Sequence, residues 1–259
     1  MTNGRRKDWL KWLTRKKSKK ADNEVYLAYH DVTITNADMW ALKNDWLTDI
    51  NITFWEEWIE REVLPQYPEA RVVLLRPTMT VMLAMTTDPI EIASGLPSFE
   101  GVTHVFIPIN DVKDTGQSDN GTHWSLLLVS IVDAVAFHYD SLGGSNFFPA
   151  SKVTDRLSKL LGTPLRFYQM EDTPQQDNTS DCGVFVCILI RHLLLKRLLN
   201  ANGGQKVSMS MKGKVIDSYN GRKEMLKIME AVRREAVKRR SESPQDNDSS
   251  KASTIPRID

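Results

Sequence analysis

Cysteine is scarce in this chain of 259 residues, which contains only Cys182 and Cys187. The two lie five positions apart at the start of one predicted helix and point to different faces, so a disulfide between them is not expected. No spacing of cysteine and histidine resembles a zinc site, and we expect neither a metal nor another cofactor. So little cysteine favours a reducing, intracellular compartment.

Apolar runs suited to crossing a membrane are also missing. The longest apolar run, residues 181–199, is interrupted by four basic side chains, Arg191, His192, Lys196 and Arg197. Charges of this kind are costly inside a bilayer, and no N-terminal segment has the size and flanks of a signal peptide. We therefore expect no membrane partner and a location in the cytoplasm and the nucleus.

Net charge is almost absent, because 34 Lys and Arg stand against 33 Asp and Glu. Its distribution is uneven: residues 1–22 carry nine basic and two acidic side chains, a net +7, whereas residues 23–220 carry 15 basic and 24 acidic ones, a net −9. An acidic body argues against nucleic acid as the main partner and suits a basic protein. Scattered, solvated carboxylates explain the same charges equally well.

Composition and order of elements predict one domain with two tails. We expect a basic N-terminal tail over residues 1–22, a folded domain over 23–240 and a disordered C-terminal tail over 241–259. A basic amphipathic helix or a nuclear-import patch is an alternative for the first tail. Helical patterns precede and follow a group of strand patterns, which indicates an α+β fold. The predicted strands cover residues 71–75, 102–109, 124–131, 134–139 and 165–170.

Cys182 lies where a polar, turn-forming loop runs into the long apolar helix. Ser180 and Asp181 can cap this helix, which places Cys182 in its first turn. The free N–H groups and the positive end of the helix dipole favour a thiolate there. A single cysteine is nevertheless more often a small buried hydrophobe than a nucleophile, and Cys187, inside the apolar run, fits that description.

Residues 124–131 and 134–139 predict a β-hairpin that turns at 131–133. In such a hairpin, residues whose numbers sum to roughly 263–265 face each other, with side chains about 5 Å apart. His123, before the first strand, then lies beside Asp140, after the second. A carboxylate that accepts from one ring nitrogen fixes the tautomer and leaves the other nitrogen for a nucleophile. Cys182 would complete a Cys–His–Asp arrangement.

Gln176 lies in the polar loop six residues before Cys182. Its side-chain amide can donate to an oxyanion, with the backbone N–H of Cys182 as a second donor. The remaining histidines have no carboxylate predicted opposite them and are interpreted as structural or surface residues: His30, His104, His138 and His192.

Three spaced motifs resemble those of a known family. They are Thr122-His-Trp-Ser-Leu126, Phe137-His-Tyr-Asp-Ser141 and Gln176-Asp-Asn-Thr-Ser-Asp-Cys-Gly183. The family is that of the ubiquitin-like-protein proteases, the Ulp or sentrin-specific cysteine peptidases. Within it the chain is most similar to the deneddylases, through Ile109-Asn-Asp111 and Ser145-Asn146. The resemblance extends from about Asp31 to Leu199 and, more weakly, into the C-terminal helix.

This resemblance implies a fold and a catalytic set. The fold would be the papain-like architecture of the Ulp type, in which a central helix bears the nucleophile beside a small mixed sheet and flanking helices. His123 would be the base, Asp140 its orienting carboxylate, Cys182 the nucleophile and Gln176 the oxyanion donor.

The resemblance also implies a binding site for the modifier tail. Trp46 and Trp124 would form a narrow aromatic tunnel for a Gly-Gly tail, since glycine has no side chain, and Asp49 would help to bind that tail. Two positions depart from the family pattern. Thr48 replaces the usual Asn, and Asp177 adds a charge within the Gln176 loop, which bears on modifier specificity more than on chemistry.

The implied function is that of a monomeric thiol isopeptidase. It would remove a Nedd-type modifier from lysines, cullin-type conjugates among them, or process the modifier precursor after Gly-Gly. One alternative is a SUMO-specific protease of the same family. Another is a cysteine acyltransferase, which the aromatic tunnel residues disfavour. An alternative of a different class is a catalytically silent, modifier-binding adaptor.

Overall fold

The computed structural model of the chain describes residues 21–112, 121–201, 207–242 and 255–259. They divide into two units, one made of residues 46–221 and one made of residues up to 45 together with 222–259. The predicted domain over residues 23–240 includes parts of both units. Nearly all of the predicted basic tail over residues 1–22 lies outside the described residues.

In chain order the elements are β1 (Val25–Tyr29), β2 (Val32–Thr35), α1 (Asn36–Asn44), α2 (Asp49–Trp58), β3 (Val72–Leu74), α3 (Pro77–Met85), β4 (His104–Asn110), β5 (Trp124–Ser130), β6 (Val135–Tyr139), α4 (Phe147–Leu161), β7 (Arg166–Gln169), α5 (Cys182–Leu193), α6 (Ser218–Glu242) and β8 (Arg257–Ile258). Between β2 and β8 they follow the predicted order of helices, sheet and helices, whereas strands β1, β2 and β8 were not predicted. Two π-helical segments extend α2 and α5, over Ile59–Val63 and Leu194–Leu198.

The larger unit contains a five-stranded mixed sheet in the order β3-β4-β5-β6-β7. The outer pairs β3–β4 and β6–β7 are parallel, whereas β4–β5 and β5–β6 are antiparallel. The β5–β6 hairpin pairs Leu126 with Tyr139 and Ser130 with Val135, within the predicted range of registers. This register brings the residues before β5 and after β6 to the same end of the sheet.

Helices cover both faces of this sheet. On one face, α3 and α4 contribute to a buried cluster with alternate residues of β4 and β5, such as Ile107 and Leu127. Successive side chains of a strand point to opposite faces, so the buried Phe106 and Leu128 face the other side. There α5 packs on β5. The indole N–H of the buried Trp55 in α2 donates to the carbonyl of Cys187, 2.9 Å away, and so fixes α2 to α5.

The start of α5 differs from the prediction in one respect. Asp181 occupies the N-cap position but makes no side-chain cap hydrogen bond. Asn178 organises the turn instead, because its side-chain oxygen accepts from the backbone nitrogens of Ser180, at 2.9 Å, and Asp181, at 3.0 Å. Its own amide then donates to the Asp181 carboxylate at 2.8 Å.

The prediction of a disordered C-terminal tail over residues 241–259 is contradicted only at its two ends, residues 241–242 and 257–258. Helix α6 continues to Glu242, residues 243–254 lie outside the described residues, and β8 pairs in parallel with β1, Tyr29 opposite Ile258. Tail composition cannot reveal this strand, because its partner is more than 200 residues away. Within the described ranges, no helix is long and apolar enough to cross a membrane.

Candidate active site

His123 lies between Asp140 and Cys182 in the larger unit, and all three side chains are buried. Its Nε2 atom is 2.7 Å from the Asp140 Oδ1 atom. Cys182, the first residue of α5, is close enough to the ring to raise its pKa. Since Nε2 is engaged by the carboxylate, Nδ1 is the ring nitrogen that serves the sulfur. The structure thus brings together the three residues that the hairpin and the helix start predicted as neighbours.

The protonation of His123 is set by these two partners. Burial, the largest effect, disfavours the charged ring, but the hydrogen bonds with Asp140 and Cys182 outweigh it and raise the pKa of His123 to about 9. An imidazolium beside a sulfur atom is the form that stabilises a thiolate. With a pKa of about 9, His123 is protonated at neutral pH and can give a proton to a leaving group.

Asp140 is held ionised by three donors. Its Oδ1 atom also accepts from the backbone nitrogen of Leu142 at 2.8 Å, and its Oδ2 atom accepts from the backbone nitrogen of Asn146 at 2.8 Å. Burial, the largest effect, favours the neutral acid, but the bonds from His123 and these backbone groups together lower the pKa of Asp140. The carboxylate is thus fixed in position as well as in charge.

Asp111 holds the backbone of the histidine, a role that sequence reasoning missed. Its Oδ1 atom accepts from the backbone nitrogens of Thr122, at 2.5 Å, and His123, at 2.9 Å. Its Oδ2 atom accepts from the Thr122 hydroxyl at 2.5 Å. A signal was available, because Asp111 directly follows β4, which the topology places antiparallel to the strand that begins after His123.

Gln176 lies in the loop before α5, bound to the residue that follows Asp140. Its backbone nitrogen donates to the Ser141 carbonyl at 2.9 Å, and its Oε1 atom accepts from the Ser141 hydroxyl at 2.7 Å. Its Nε2 atom donates to the Asn178 carbonyl at 2.7 Å, which uses one of the two hydrogens of the amide. Its hydrogen bonds therefore position Gln176 without joining it to His123 or Cys182.

The neighbouring Gln175 ties the same loop to the end of β6, and sequence reasoning did not select it. Its amide nitrogen donates to the carbonyl of Asp140 at 2.9 Å, and its amide oxygen accepts from the backbone nitrogen of Gly143 at 2.8 Å. The loop that carries Gln176 is therefore attached to the loop that carries the carboxylate.

Of the predicted tail-binding residues, Trp124 contacts the segment that carries Trp46, near the start of α5. The indole nitrogen of the buried Trp124 donates to the carbonyl of Leu47 at 3.2 Å, and Trp46, 40% exposed, precedes that residue. A Cβ atom on Gly183 would lie 2.8 Å from the Leu47 Cβ atom, closer than such contacts occur. Glycine after the cysteine therefore lets the 46–47 segment approach the helix start.

Thr48 and Asp49 begin α2. Thr48 and Asn51 form a capping box, in which the Thr48 hydroxyl accepts from the Asn51 nitrogen at 3.3 Å and the Asn51 side chain accepts from the Thr48 nitrogen at 3.1 Å. Threonine caps a helix nearly as well as asparagine, which explains why this departure from the family pattern is tolerated. Asp49 is the first helical residue, and it is exposed.

Both cysteines are free thiols, so the structure contains no disulfide between Cys182 and Cys187. In the ranges that the structure describes, no group of three His, Cys, Asp or Glu side chains is arranged to hold a metal ion.

Known proteins share this fold and sequence. A fission-yeast (Schizosaccharomyces pombe) protein named NEDD8-specific protease 2 is 34% identical over 213 residues, 80% of this chain and 51% of that protein, so the chain spans about half of its length. Mouse (Mus musculus) sentrin-specific protease 8 is 34% identical over 169 residues, 62% of this chain and 74% of that protein.

The fold is that of solved Ulp1 protease domains. The C-terminal Ulp1 protease domain solved with Smt3, the yeast orthologue of SUMO, superimposes with a TM-score of 0.57 at 16% identity, over 83% of this chain and 92% of that one. Residues 45–230 match the family described as the Ulp1 protease family, C-terminal catalytic domain. The chain belongs to the Ulp1 protease family.

Proposed function

We propose that this chain is a thiol isopeptidase that removes a Nedd-type, ubiquitin-like modifier from lysine side chains. The observation that carries the proposal is the buried His123, which is hydrogen-bonded to Asp140 and whose pKa is raised by both Asp140 and Cys182. The choice of modifier is supported by the relative named NEDD8-specific protease 2, which is similar over 80% of the chain. Processing of the modifier precursor after Gly-Gly is the same chemistry on a peptide bond.

The reaction uses the three residues in two steps. The Cys182 thiolate attacks the carbonyl carbon of the terminal glycine, a C–S bond forms, and the oxygen takes the negative charge. When the C–N bond breaks, the His123 imidazolium gives its proton to the departing lysine amine. The neutral His123 then takes one proton from water as that water attacks the thioester. The C–S bond breaks, which restores the thiolate and releases the modifier as a carboxylic acid that loses its proton to solvent.

Charge on the oxygen is stabilised by the start of α5. The backbone N–H of Cys182 and the amide of Gln176 are the proposed donors. The Gln176 amide keeps one hydrogen for this purpose while the other is bonded to Asn178. Bonds to Ser141 hold this amide in place before substrate arrives, so little reorganisation is needed.

The modifier tail is proposed to bind between Trp46 and Trp124, with Asp49 contacting it at the start of α2. A tail of two glycines fits such a site because it has no side chains to exclude. Support comes from the bond between Trp124 and Leu47 and from the close approach at Gly183, which bring this segment to the start of the helix that bears the sulfur.

The wider biology is also proposed: a monomer that acts in the cytoplasm and nucleus on cullin-type conjugates and does not bind nucleic acid. A SUMO-type modifier is the second candidate, since the fold is also that of a domain solved with Smt3. Acyl transfer and modifier binding without catalysis are the remaining alternatives.

To test the proposal, the purified chain is incubated with a panel of full-length modifiers, each carrying a fluorogenic C-terminal amide. We expect cleavage of the Nedd-type probe by the wild type and none by Cys182→Ala. The matched control is Cys187→Ala, which removes the other thiol of the same helix and should retain cleavage.

Each other outcome removes a specific part of the proposal. Cleavage that survives in Cys182→Ala would contradict the mechanism, and equal or better turnover of the SUMO probe would contradict the choice of modifier. Tight binding of a modifier without turnover would favour the adaptor. Acetyl transfer from coenzyme A would favour the acyltransferase.

A further inference from the structure

Asn146 has surroundings that the proposed mechanism does not use. It is fully buried and occupies the N-cap position of α4. Asparagine is common at this position because its side-chain oxygen accepts from the first turn of the helix. Here that bond is missing, as Asn146 makes no side-chain cap hydrogen bond. Helix capping therefore does not explain the residue.

The side chain of Asn146 instead reaches the backbone of the proposed base. Its Nδ2 atom lies 3.2 Å from the carbonyl oxygen of His123, 3.3 Å from that of Ile109 and 3.1 Å from the hydroxyl oxygen of Ser125. Its backbone nitrogen donates to Asp140 at 2.8 Å. One residue thus contacts both the histidine and the carboxylate that orients it.

His123 is consequently held on both sides of its peptide chain. Its N–H donates to Asp111, and its C=O accepts from Asn146. With these two groups fixed and the ring bonded to Asp140, the imidazole has little freedom to move relative to the sulfur. A misplacement of about 1 Å at a reacting group can cost ~100-fold in rate.

A buried chain of hydrogen bonds continues from Asn146 across the sheet. An amide nitrogen can only donate, so the Ser125 hydroxyl accepts from Asn146 and donates its own hydrogen to His138 Nε2, 2.9 Å away. His138 then carries its proton on Nδ1 and donates it to the Gln169 Oε1 atom, 2.6 Å away. Each link has one direction, which orients the Asn146 amide.

The Asn146 Oδ1 atom is buried and accepts no hydrogen bond within the described residues. A buried acceptor without a donor is costly and rare in folded proteins. Turning the amide over would satisfy neither the carbonyl of His123 nor that of Ile109, because an oxygen would then face each of them. The Asn146 amide is therefore oriented so that its nitrogen bonds to the backbone of the active site, although this leaves its oxygen without a donor.

We propose that Asn146 is a positioning residue that holds His123 against Asp140 and Cys182, with Ser125 and His138 orienting its amide. Only the choice of substrate for the assay below rests on the proposed function. Asn146 acts on the geometry of the base, so its loss is expected to lower kcat and to leave KM almost unchanged.

The test is Asn146→Ala in the full chain, which removes the amide and keeps the backbone N–H that bonds to Asp140. With the Nedd-type fluorogenic probe, kcat should fall roughly 10- to 100-fold, while KM stays within about twofold. The matched control is Thr154→Ala, which removes a buried hydroxyl from the same helix, where it donates to the Ala150 carbonyl at 2.9 Å. This control should keep the wild-type kcat.

Two readouts need no modifier. The low-field proton resonance of the His123–Asp140 hydrogen bond should shift or broaden in Asn146→Ala and not in Thr154→Ala. Alkylation of Cys182 by iodoacetamide at neutral pH should slow in the first variant only. If the wild type cleaves no modifier probe, the proposed function fails, and these two readouts still decide the positioning role.

Other results would overturn the inference. One is a folded Asn146→Ala protein with the wild-type kcat, proton resonance and alkylation rate. Another is an equal loss of kcat in Asn146→Ala and Thr154→Ala, which would indicate that Asn146 has only a structural role. If Asn146→Ala does not fold, Ser125→Ala carries the test, and a lowered kcat with an altered resonance is again the expected result. Unchanged values in that folded variant would contradict the proposal.

Discussion

His123 and His138 belong to the same hairpin and are both buried, yet their ionisation is opposite. Burial lowers the pKa of His138, whose ring is bonded to the neutral side chains of Gln169 and Ser125. The same burial acts on His123, but there Asp140 and Cys182 raise the pKa to about 9. Depth in the fold therefore does not decide the charge of a histidine in this protein; the chemistry of its partners does.

Replacing Asp140 should make His123 resemble His138. In Asp140→Asn the carboxylate that raises the pKa of His123 is lost, and the amide can present the wrong atom to the ring. We expect kcat/KM on the Nedd-type probe to fall by on the order of 1,000-fold. Asp133→Asn, at the other end of the hairpin, is the control and should retain activity. Loss of less than tenfold would show that the carboxylate is not the decisive partner.

The raised pKa of His123 predicts an alkaline limit to activity. Above about pH 9 the ring loses the proton that the proposed mechanism transfers to the leaving amine, so kcat/KM should fall about tenfold per pH unit. The free energy of unfolding changes in the same direction. The stabilisation that His123 contributes is complete below the ordinary histidine pKa of 6.5 and is lost as pH rises through 9. Rates and thermal unfolding measured between pH 6 and 10 check both.

In Asp140→Asn this alkaline limit should move to lower pH. A limit that stays at the same pH in the variant would assign it to another group.

A carboxylate placed beside His138 should make it resemble His123. In Gln169→Glu the new acid faces His138 Nδ1 and should raise the pKa of that ring, which histidine NMR titration measures directly. A protonated His138 cannot accept from Ser125, so kcat should also fall, by roughly tenfold. Gln169→Leu, which supplies no charge, is the matched control for the titration. An unchanged titration of His138 in Gln169→Glu would contradict the interpretation.

The buried carboxyl groups of Asp140 and Glu56 also differ in their partners, and this difference affects the stability of the fold. Asp140 has three donors, whereas neither oxygen of the fully buried Glu56 accepts a hydrogen bond within the described residues, and its nearest cation, Arg76, is 3.8 Å away. Burial, opposed by Arg76, raises the pKa of Glu56 well above 4.5. The folded state thus keeps a proton that the unfolded state releases, so stability is lost as pH rises above about 4.5.

Glu56→Gln should remove that cost. We expect its free energy of unfolding to exceed that of the wild type by on the order of 1 kcal/mol at pH 8, and by less at pH 5. Denaturation at both pH values measures this. Glu57→Gln, which removes an oxygen 2.5 Å from Arg76, should instead destabilise the protein. If Glu56→Gln is destabilising at both pH values, Glu56 acts as an ionised partner of Arg76.

Much of the fold and site could be predicted because the signals are local. Alternating strand patterns set the β5–β6 register, and that register brings His123 to Asp140. A polar loop before an apolar run marks the start of α5 and so the position of Cys182. The strand at Arg257–Ile258 could not be predicted, because a two-residue strand exists only through its distant partner, β1.

The sequence by itself determined the order of elements, the hairpin, the cysteine at a helix start and, through spaced motifs, the family. Only the tertiary structure decided how these parts are held. Asp111, Gly183 and Asn146 belong to the motifs that carry the family resemblance, but the motifs do not show what these residues hold. Their contacts, and that of Gln175, reach residues 12 to 136 positions away. The tertiary structure also decided which side chains are charged, because ionisation depends on burial and on partners that meet only when the chain is folded.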